Sequence, residues 1–338
     1  MSSKSSGLGV PAEAKSTLRV GVIGAGVMGS NHARVLTGLR DVTLVGVVDP
    51  LPAHRTRVTE LTGCRTFDGL DQMMAEGVDA VIVAAPTHLH HEVTLACIAR
   101  KVHVLVEKPI ASSVEEGREI VAAAERAGVT LMVGHVERFN PAVVAIKKAI
   151  AGEQLISIAI TRVGPIPPRM SNVGVVIDLA VHDIDLIRWF TESEIVEVQP
   201  QLSSTVAERE DSALLQFRTA SGVLAHINTN WLTPFKARNV TVATRGKYVM
   251  GDLLTRQVTE CFGFKPDGSY SMRHLPVGHD EPLRAELIAF LQAVRSGGVP
   301  AVTGAEGVAS LEIATRCLET STKPAVSSTR KVPRRVVG

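Results

Sequence analysis

Two short stretches carry residue types that could move a proton. The first, GVVIDLAVHDIDLIRWF from Gly174 to Phe190, is mostly apolar and reads as a buried helix, yet it carries Asp178, His182, Asp183 and Asp185. Ionised groups taken out of water cost free energy unless they are paired or used. At the helical rotation of about 100° per residue, Asp178, His182 and Asp185 share one face. A histidine one turn from a carboxylate is a candidate general base, because its pKa can be tuned near neutrality. Asp185 is expected to support that pair, and Asp183, on another side, to lie in solvent or beside Arg188. The plain alternative for Asp178 and His182 is a satisfied intrahelical pair. The second stretch, VEKP from Val106 to Pro109, ends an apolar strand with Lys108. Pro109 fixes its own backbone and restricts that of Lys108. No third ligand stands beside Asp178 and His182, so no metal is expected.

A third motif supplies a partner for such chemistry. Gly24-Ala25-Gly26-Val27-Met28-Gly29 is a G-x-G-x-x-G that follows the apolar run LRVGVI and opens a helical run. In that context Gly24 permits the tight turn, Gly26 lets backbone approach a pyrophosphate and Gly29 lets helix and strand pack closely. The helix N-terminus then favours the phosphate charge. Asp49 ends the next apolar strand, where a carboxylate can accept both ribose hydroxyls of NAD and repel the extra phosphate of NADP. The cofactor is therefore expected to be NAD. AAPTHLHHE, from Ala84 to Glu92, ends another strand, which makes Ala85, Pro86, Thr87, His88 and His91, with Glu107 and Lys108, further candidates to line it. His90 and His91 are adjacent and point apart, which argues for a loop against the cofactor over a metal cluster. With a hydride acceptor in place, the proton-moving residues suit oxidation of an alcohol: a hydroxyl proton must leave as hydride leaves carbon.

The elements that must position these residues alternate. From residue 18, short Val/Ile/Leu strands are separated by helices, one opened by a capping box at Ser113 and Glu116. That rhythm predicts a doubly wound parallel sheet over residues 18–138, a Rossmann domain. Residues 139–325 read as a second α/β domain. A helix and a strand lead into the Gly174–Phe190 helix, strands then follow in succession as a large, open, mainly antiparallel sheet, and helices near 281–297 and 304–322 close the chain. Residues 1–17 read as a disordered leader and 326–338 as a basic tail.

GVIGAGVMGSNHARVL, VIVAAPTHLHHEVTLACIARKVHVLVEKP and DLAVHDIDLIRW together resemble the Gfo/Idh/MocA family of sugar and cyclitol oxidoreductases, over residues 18 to about 320. The resemblance implies a catalytic set of Lys108, Asp178 and His182. It leaves open whether Lys108 or His182 accepts the first proton, and whether NAD is released or recycled in place. GHVERFNP, IDLAVHDIDLIRW and NTNWLTPFKAR look like the branch that includes UDP-N-acetylglucosamine 3-dehydrogenases, whose product goes to an aminotransferase. A nucleotide sugar needs cations and a stacking surface, so Arg138, Asn140, Arg162, Arg169, Lys236, Arg238 and Trp231 are candidate substrate contacts. Two alternatives stand: a dehydrogenase of a free sugar, sugar acid or inositol, and a non-catalytic NAD-binding regulator on the same fold.

Composition excludes other classes. The 338 residues carry 36 basic and 34 acidic side chains, a net +2, with 4% aromatics. Neither a charge field nor a base-stacking surface for nucleic acid is present. No apolar run reaches the ~20 residues of a membrane span, and the start lacks a secretory core. Cys64, Cys97, Cys261 and Cys317 lie far apart and suit reduced thiols in a cytoplasmic protein. A sheet with one open face predicts a homodimer or homotetramer built through it.

Overall fold

The computed structural model describes residues 17–166 and 173–321. Arg169, residues 1–16 of the leader and the whole of the basic tail fall outside them. The described residues form two compact units, 17–141 with 279–311 and those of 142–278 with 312–321.

The first unit alternates strand and helix: β1 (Leu18–Ile23), α1 (Val27–Thr37), β2 (Val42–Val48), α2 (Pro52–Thr62), β3 (Thr66–Phe67), α3 (Leu70–Ala75), β4 (Ala80–Val83), α4 (His90–Ala99), β5 (His103–Glu107), α5 (Val114–Ala127) and β6 (Leu131–Gly134). The strands pair in parallel in the order β3-β2-β1-β4-β5-β6. Every residue of β4 is buried, and β5 is buried after His103, as the continuous apolar runs require of a sheet covered on both faces. At α5 the Ser113 hydroxyl accepts the Glu116 amide at 3.2 Å, while the Glu116 carboxylate takes the amide of Ser112, one residue earlier than a capping box would place it.

The second unit contains α6 (Pro141–Ala149), β7 (Leu155–Pro165), α7 (Val181–Thr191), β8 (Ile195–Ser203), β9 (Ser212–Thr219), β10 (Leu224–Asn230), β11 (Leu232–Thr244), β12 (Lys247–Asp252), β13 (Gln257–Phe262) and β14 (Ser271–Leu275). The eight strands run β14-β13-β12-β11-β7-β10-β9-β8, antiparallel except for β7 with β10. One face packs Ile158, Ile160, Leu215 and Phe217 against Ile146 of α6 and Ile184 and Ile187 of α7. The other face is open. The pairing registers place Met272, Tyr248 and Leu224 in one row across it, and these side chains are exposed.

The chain closes with α8 (Pro282–Ser296) and α9 (Gly304–Thr320). The sequence placed both in the second domain. Instead α8 packs on α1 and on the 3-10 turn Val136–Phe139, and residues 302 and 303 meet β6 through Val133 and Met132. The boundary between the units falls within α9, after Leu311. A helix that follows a long run of strands carries no sequence mark of the sheet it returns to.

Candidate functional site

In the first unit the glycine-rich turn joins β1 to α1. Gly24 has φ +98°, and a Cβ there would lie 2.6 Å from the Ala84 carbonyl oxygen. A Cβ on Gly29 would lie 1.8 Å from the carbonyl oxygen of Gly24, so turn and helix touch through backbone alone. At Gly26 a Cβ would meet nothing within 4 Å, and Val27 and Met28 at the helix start are exposed. Open space over Gly26, with helix amides behind it, fits a pyrophosphate. Asp49 lies beside the turn, 6% exposed. One carboxylate oxygen accepts the Ala25 amide at 2.8 Å and faces Nδ1 of His54 at 3.2 Å, and the other accepts the Leu51 amide at 2.9 Å. The oxygen that accepts the Leu51 amide has a second lone pair for a ribose hydroxyl. Arg57, read from the sequence as nothing in particular, donates to the Ala25 carbonyl at 3.1 Å, beside the turn.

Two more strand ends converge on the same sheet edge. After β4, Ala85 and Thr87 are half-buried, and Pro86 and His88 are exposed. His91 turns to Glu119 at 2.8 Å. His90, set aside at the sequence level, is 1% exposed and joins this loop to the next: Nδ1 lies 2.8 Å from the Pro109 carbonyl oxygen and Nε2 2.9 Å from that of Ala85. After β5 come Glu107, Lys108 and Pro109, with a cis peptide before Pro109. Glu107 holds Nε2 of His32 at 2.8 Å on one oxygen and accepts the Lys108 amide at 3.3 Å on the other. Burial pushes the Glu107 pKa up, but His32 and Lys108 together outweigh it and hold the carboxyl below its ordinary value. Glu286 of α8, fully buried and with no hydrogen-bond partner on either oxygen, faces the Glu107 charge. Burial, then Glu107, raise the Glu286 pKa well above normal, so of the two carboxyls Glu286 holds its proton more tightly than Glu107. Its sequence signal was available: Leu283, Glu286, Leu287 and Phe290 form one buried stripe of α8.

In the second unit, residues Val176–Ala180 form a π-helical turn that runs into α7. A π turn takes more residues than an α turn, so the uniform 100° rotation does not hold across Asp178. Asp178 and His182 are half-buried, and Asp185 is buried. Glu210 caps this helix: its backbone carbonyl accepts the Val175 amide at 2.9 Å and its side chain the Val176 amide at 3.2 Å. Gly174 makes room for that carboxyl, since a Cβ would lie 2.0 Å from it. Burial raises the Glu210 pKa, opposed by the backbone donors.

Several expected contacts have other tasks. Asp183 is not solvated. It is fully buried and accepts a forked pair of bonds from Arg162 at 2.7–3.0 Å, while Arg188 takes Glu194. Arg162, expected at a phosphate, is 2% exposed and bonded to Asp183, because it shares the inward face of β7 with Ile158 and Ile160. Trp231, expected to stack on a substrate, is 5% exposed in the core. Arg138 is buried against Glu306 at 2.7 Å, and the Asn140 amide donates to Glu137. Lys236 is exposed and Arg238 half-buried, both inside β11, which begins seven residues before the expected strand at Asn239. Among the described residues no group of three His, Cys, Asp or Glu could hold a metal ion, and no helix is long and apolar enough to cross a membrane.

Comparison with known proteins follows the same division. Residues 18–135 match the Gfo/Idh/MocA model described as an oxidoreductase family with an NAD-binding Rossmann fold, and residues 165–249 match the C-terminal domain of that family. An inositol 2-dehydrogenase of Rubrobacter xylanophilus is 32% identical over 89% of this chain and 90% of that protein. The chain belongs to the Gfo/Idh/MocA family. A second relative, UDP-N-acetylglucosamine 3-dehydrogenase of Acidithiobacillus ferrooxidans, is 30% identical over 70% of this chain and 74% of its own length. The solved structure of UDP-N-acetylglucosamine 3-dehydrogenase from that organism superposes with a TM-score of 0.84 at 26% identity, covering 90% of this chain and 97% of that one. As a Gfo/Idh/MocA protein the chain is an NAD-dependent oxidoreductase.

Proposed function

We propose that the chain oxidises a secondary ring hydroxyl of a sugar or cyclitol to a ketone, with Lys108, Asp178 and His182 handling the proton. The observation that carries this is the setting of Lys108, which leaves the carboxyl end of a parallel strand directly after a buried, ionised Glu107. Bound NAD supplies the hydride acceptor. His182 takes the hydroxyl proton, Asp178 holds the hydroxyl or orients the imidazole, and Lys108 polarises the substrate oxygen. A lysine beside a cationic ring loses some proton affinity, which lets it donate and relay.

For the substrate we favour UDP-N-acetylglucosamine oxidised at C3, with an aminotransferase using the product. The similarity to the Acidithiobacillus enzyme supports this in both sequence and structure. With Arg162 and Trp231 turned inward, Lys236 and Arg238 on β11 are the cations left among the described candidates for a diphosphate. A second reading, inositol, is favoured by the Rubrobacter relative, which aligns over more of the chain. Two copies would pair across the open face marked by Met272, Tyr248 and Leu224; a monomeric mass at micromolar concentration would sink that idea.

The test is NADH fluorescence with NAD plus UDP-N-acetylglucosamine, free N-acetylglucosamine or myo-inositol, against Lys108→Ala as blank. A Lys108-dependent signal with the nucleotide sugar alone supports the first reading. A signal with inositol instead keeps the chemistry and replaces the substrate. Silence with all three, repeated with 2-oxoglutarate to discharge a retained NADH, would overturn both.

A further inference from the structure

His90 sits between two oxygens that can only accept. Its Nδ1 is 2.8 Å from the Pro109 carbonyl and its Nε2 2.9 Å from the Ala85 carbonyl. A neutral imidazole has one N–H and one lone pair, so it satisfies one carbonyl and turns a lone pair toward the other. An imidazolium donates to both. The ring is 1% exposed, so water is not at hand to make up the difference. The two carbonyls belong to separate loops: Ala85 opens the loop proposed to lie against the cofactor, and Pro109 immediately follows Lys108.

We propose that His90 is a positioning residue for Lys108, a clamp that joins the Pro109 carbonyl to the Ala85 carbonyl and closes fully only when both ring nitrogens carry protons. The proposal rests on the reading of Lys108 as the lysine that handles the substrate oxygen and of residues 84–88 as the cofactor loop. His90 does not touch the reacting atoms. It acts by fixing the turn from which Lys108 reaches.

The charges around the ring set when the clamp closes. Burial lowers the His90 pKa. The Pro109 and Ala85 carbonyls and the Glu107 carboxylate of β5 raise it again, and His88 in the preceding turn lowers it slightly. Behind Glu107 stand His32 of α1 and Glu286 of α8, and Lys108 follows it in the chain. The next residue of α4, His91, is turned to Glu119 of α5. The net direction is downward from the ordinary histidine value, so the clamp opens on the acid side of neutrality. Above that point the ring keeps one donor, and one of the two loops is released.

The experiment uses the full chain labelled with nitrogen-15 histidine, free and with NAD. The His90 ring signals are assigned by their loss in His90→Gln. Glutamine supplies one donor nitrogen and so imitates the half-open clamp at every pH. Ring nitrogen shifts are followed across pH, beside kcat and the KM for NAD of wild type and His90→Gln, with thermal melts to show that the variant is folded. Both ring nitrogens should be protonated below the His90 titration and one above it. The wild-type to variant kcat ratio should fall from about tenfold to near unity through that same titration, the size one extra hydrogen bond can supply. A His90 ring that keeps a single N–H throughout would overturn the clamp. So would a kcat ratio flat with pH, which a purely structural role would give. Lys108→Ala is measured in parallel. If it keeps turnover, the reading of Lys108 has failed, while the ring nitrogen shifts still judge the clamp.

Discussion

Lys108 leaves a strand whose end is fixed by polar, buried contacts: Glu107 to His32 and to the Lys108 amide, and His90 to the carbonyls of Ala85 and Pro109. Asp178 and His182 ride instead on a helix held by shape. Ile184, Ile187 and Phe190 sink into the core, Arg162 grips Asp183, and Glu210 fits the helix start only because Gly174 has no side chain. The first segment is sensitive to where protons sit. The second is sensitive to volume. A variant that moves a proton should therefore disturb the lysine turn, and one that alters volume or breaks the Arg162–Asp183 pair should disturb the helix.

The largest effect tests whether the lysine turn matters at all. Lys108→Met should lower kcat by about 10²–10⁴-fold, the usual reach of proton transfer by a positioned side chain, with NAD still bound in a fluorescence titration. An unchanged kcat would remove the polar segment from the comparison. Next comes the grip on the helix. Asp183→Asn removes one charge of the buried Arg162–Asp183 pair and should cost about 3–5 kcal/mol in denaturant unfolding. Replacing both partners by apolar residues should recover most of that loss. Gly174→Ala drives a methyl into the Glu210 carboxyl, so the cap must give way. The expected cost is about 1 kcal/mol of stability, with kcat reduced and NAD affinity unaltered. Equal kcat in this variant would show that the cap does not position Asp178 and His182.

The smallest effect separates charge from shape most cleanly. Glu286 binds its proton more tightly folded than unfolded, because its pKa is raised above 4.5 by burial and by Glu107. Its contribution to stability is therefore present at low pH and is lost as pH rises from the ordinary carboxyl range through the raised folded value. Glu286→Gln removes that slope. The wild-type melting temperature should decline with pH relative to that variant, and parallel curves would refute the protonated assignment.

The glycine turn, Asp49 and the parallel sheet were legible because their signals are local: a turn that only glycine can make, a carboxylate at a strand end, continuous apolar runs. That Asp178 and His182 lie on one helical segment was legible from the apolar run around them. The π turn beneath them was not, since it answers to Glu210, more than 30 residues away in the chain. Arg162 and Trp231 are buried, and for Arg162 the reason is readable. A charged side chain in phase with Ile158 and Ile160 belongs to the inward face of its strand, and that alternation outweighs the attraction of an arginine to an imagined phosphate. His90 was dismissed as half of an unusable metal pair, when its adjacency to His91 only meant that the two rings face different ways.

The return of α8 to the first unit also governs how the protein can be made. Glu286 faces Glu107, Val133 meets Val302, and Arg138 meets Glu306, so the NAD-binding unit draws on residues up to 311. On a ribosome adding about 5–20 residues each second, the segment up to Pro141 waits roughly 10–30 s for its missing helix. During that interval every strand of the second unit emerges while the side of the first that receives α8 is still bare. A gene fragment cut after Pro141 would freeze that unfinished state, and it should be insoluble where the full-length chain is not.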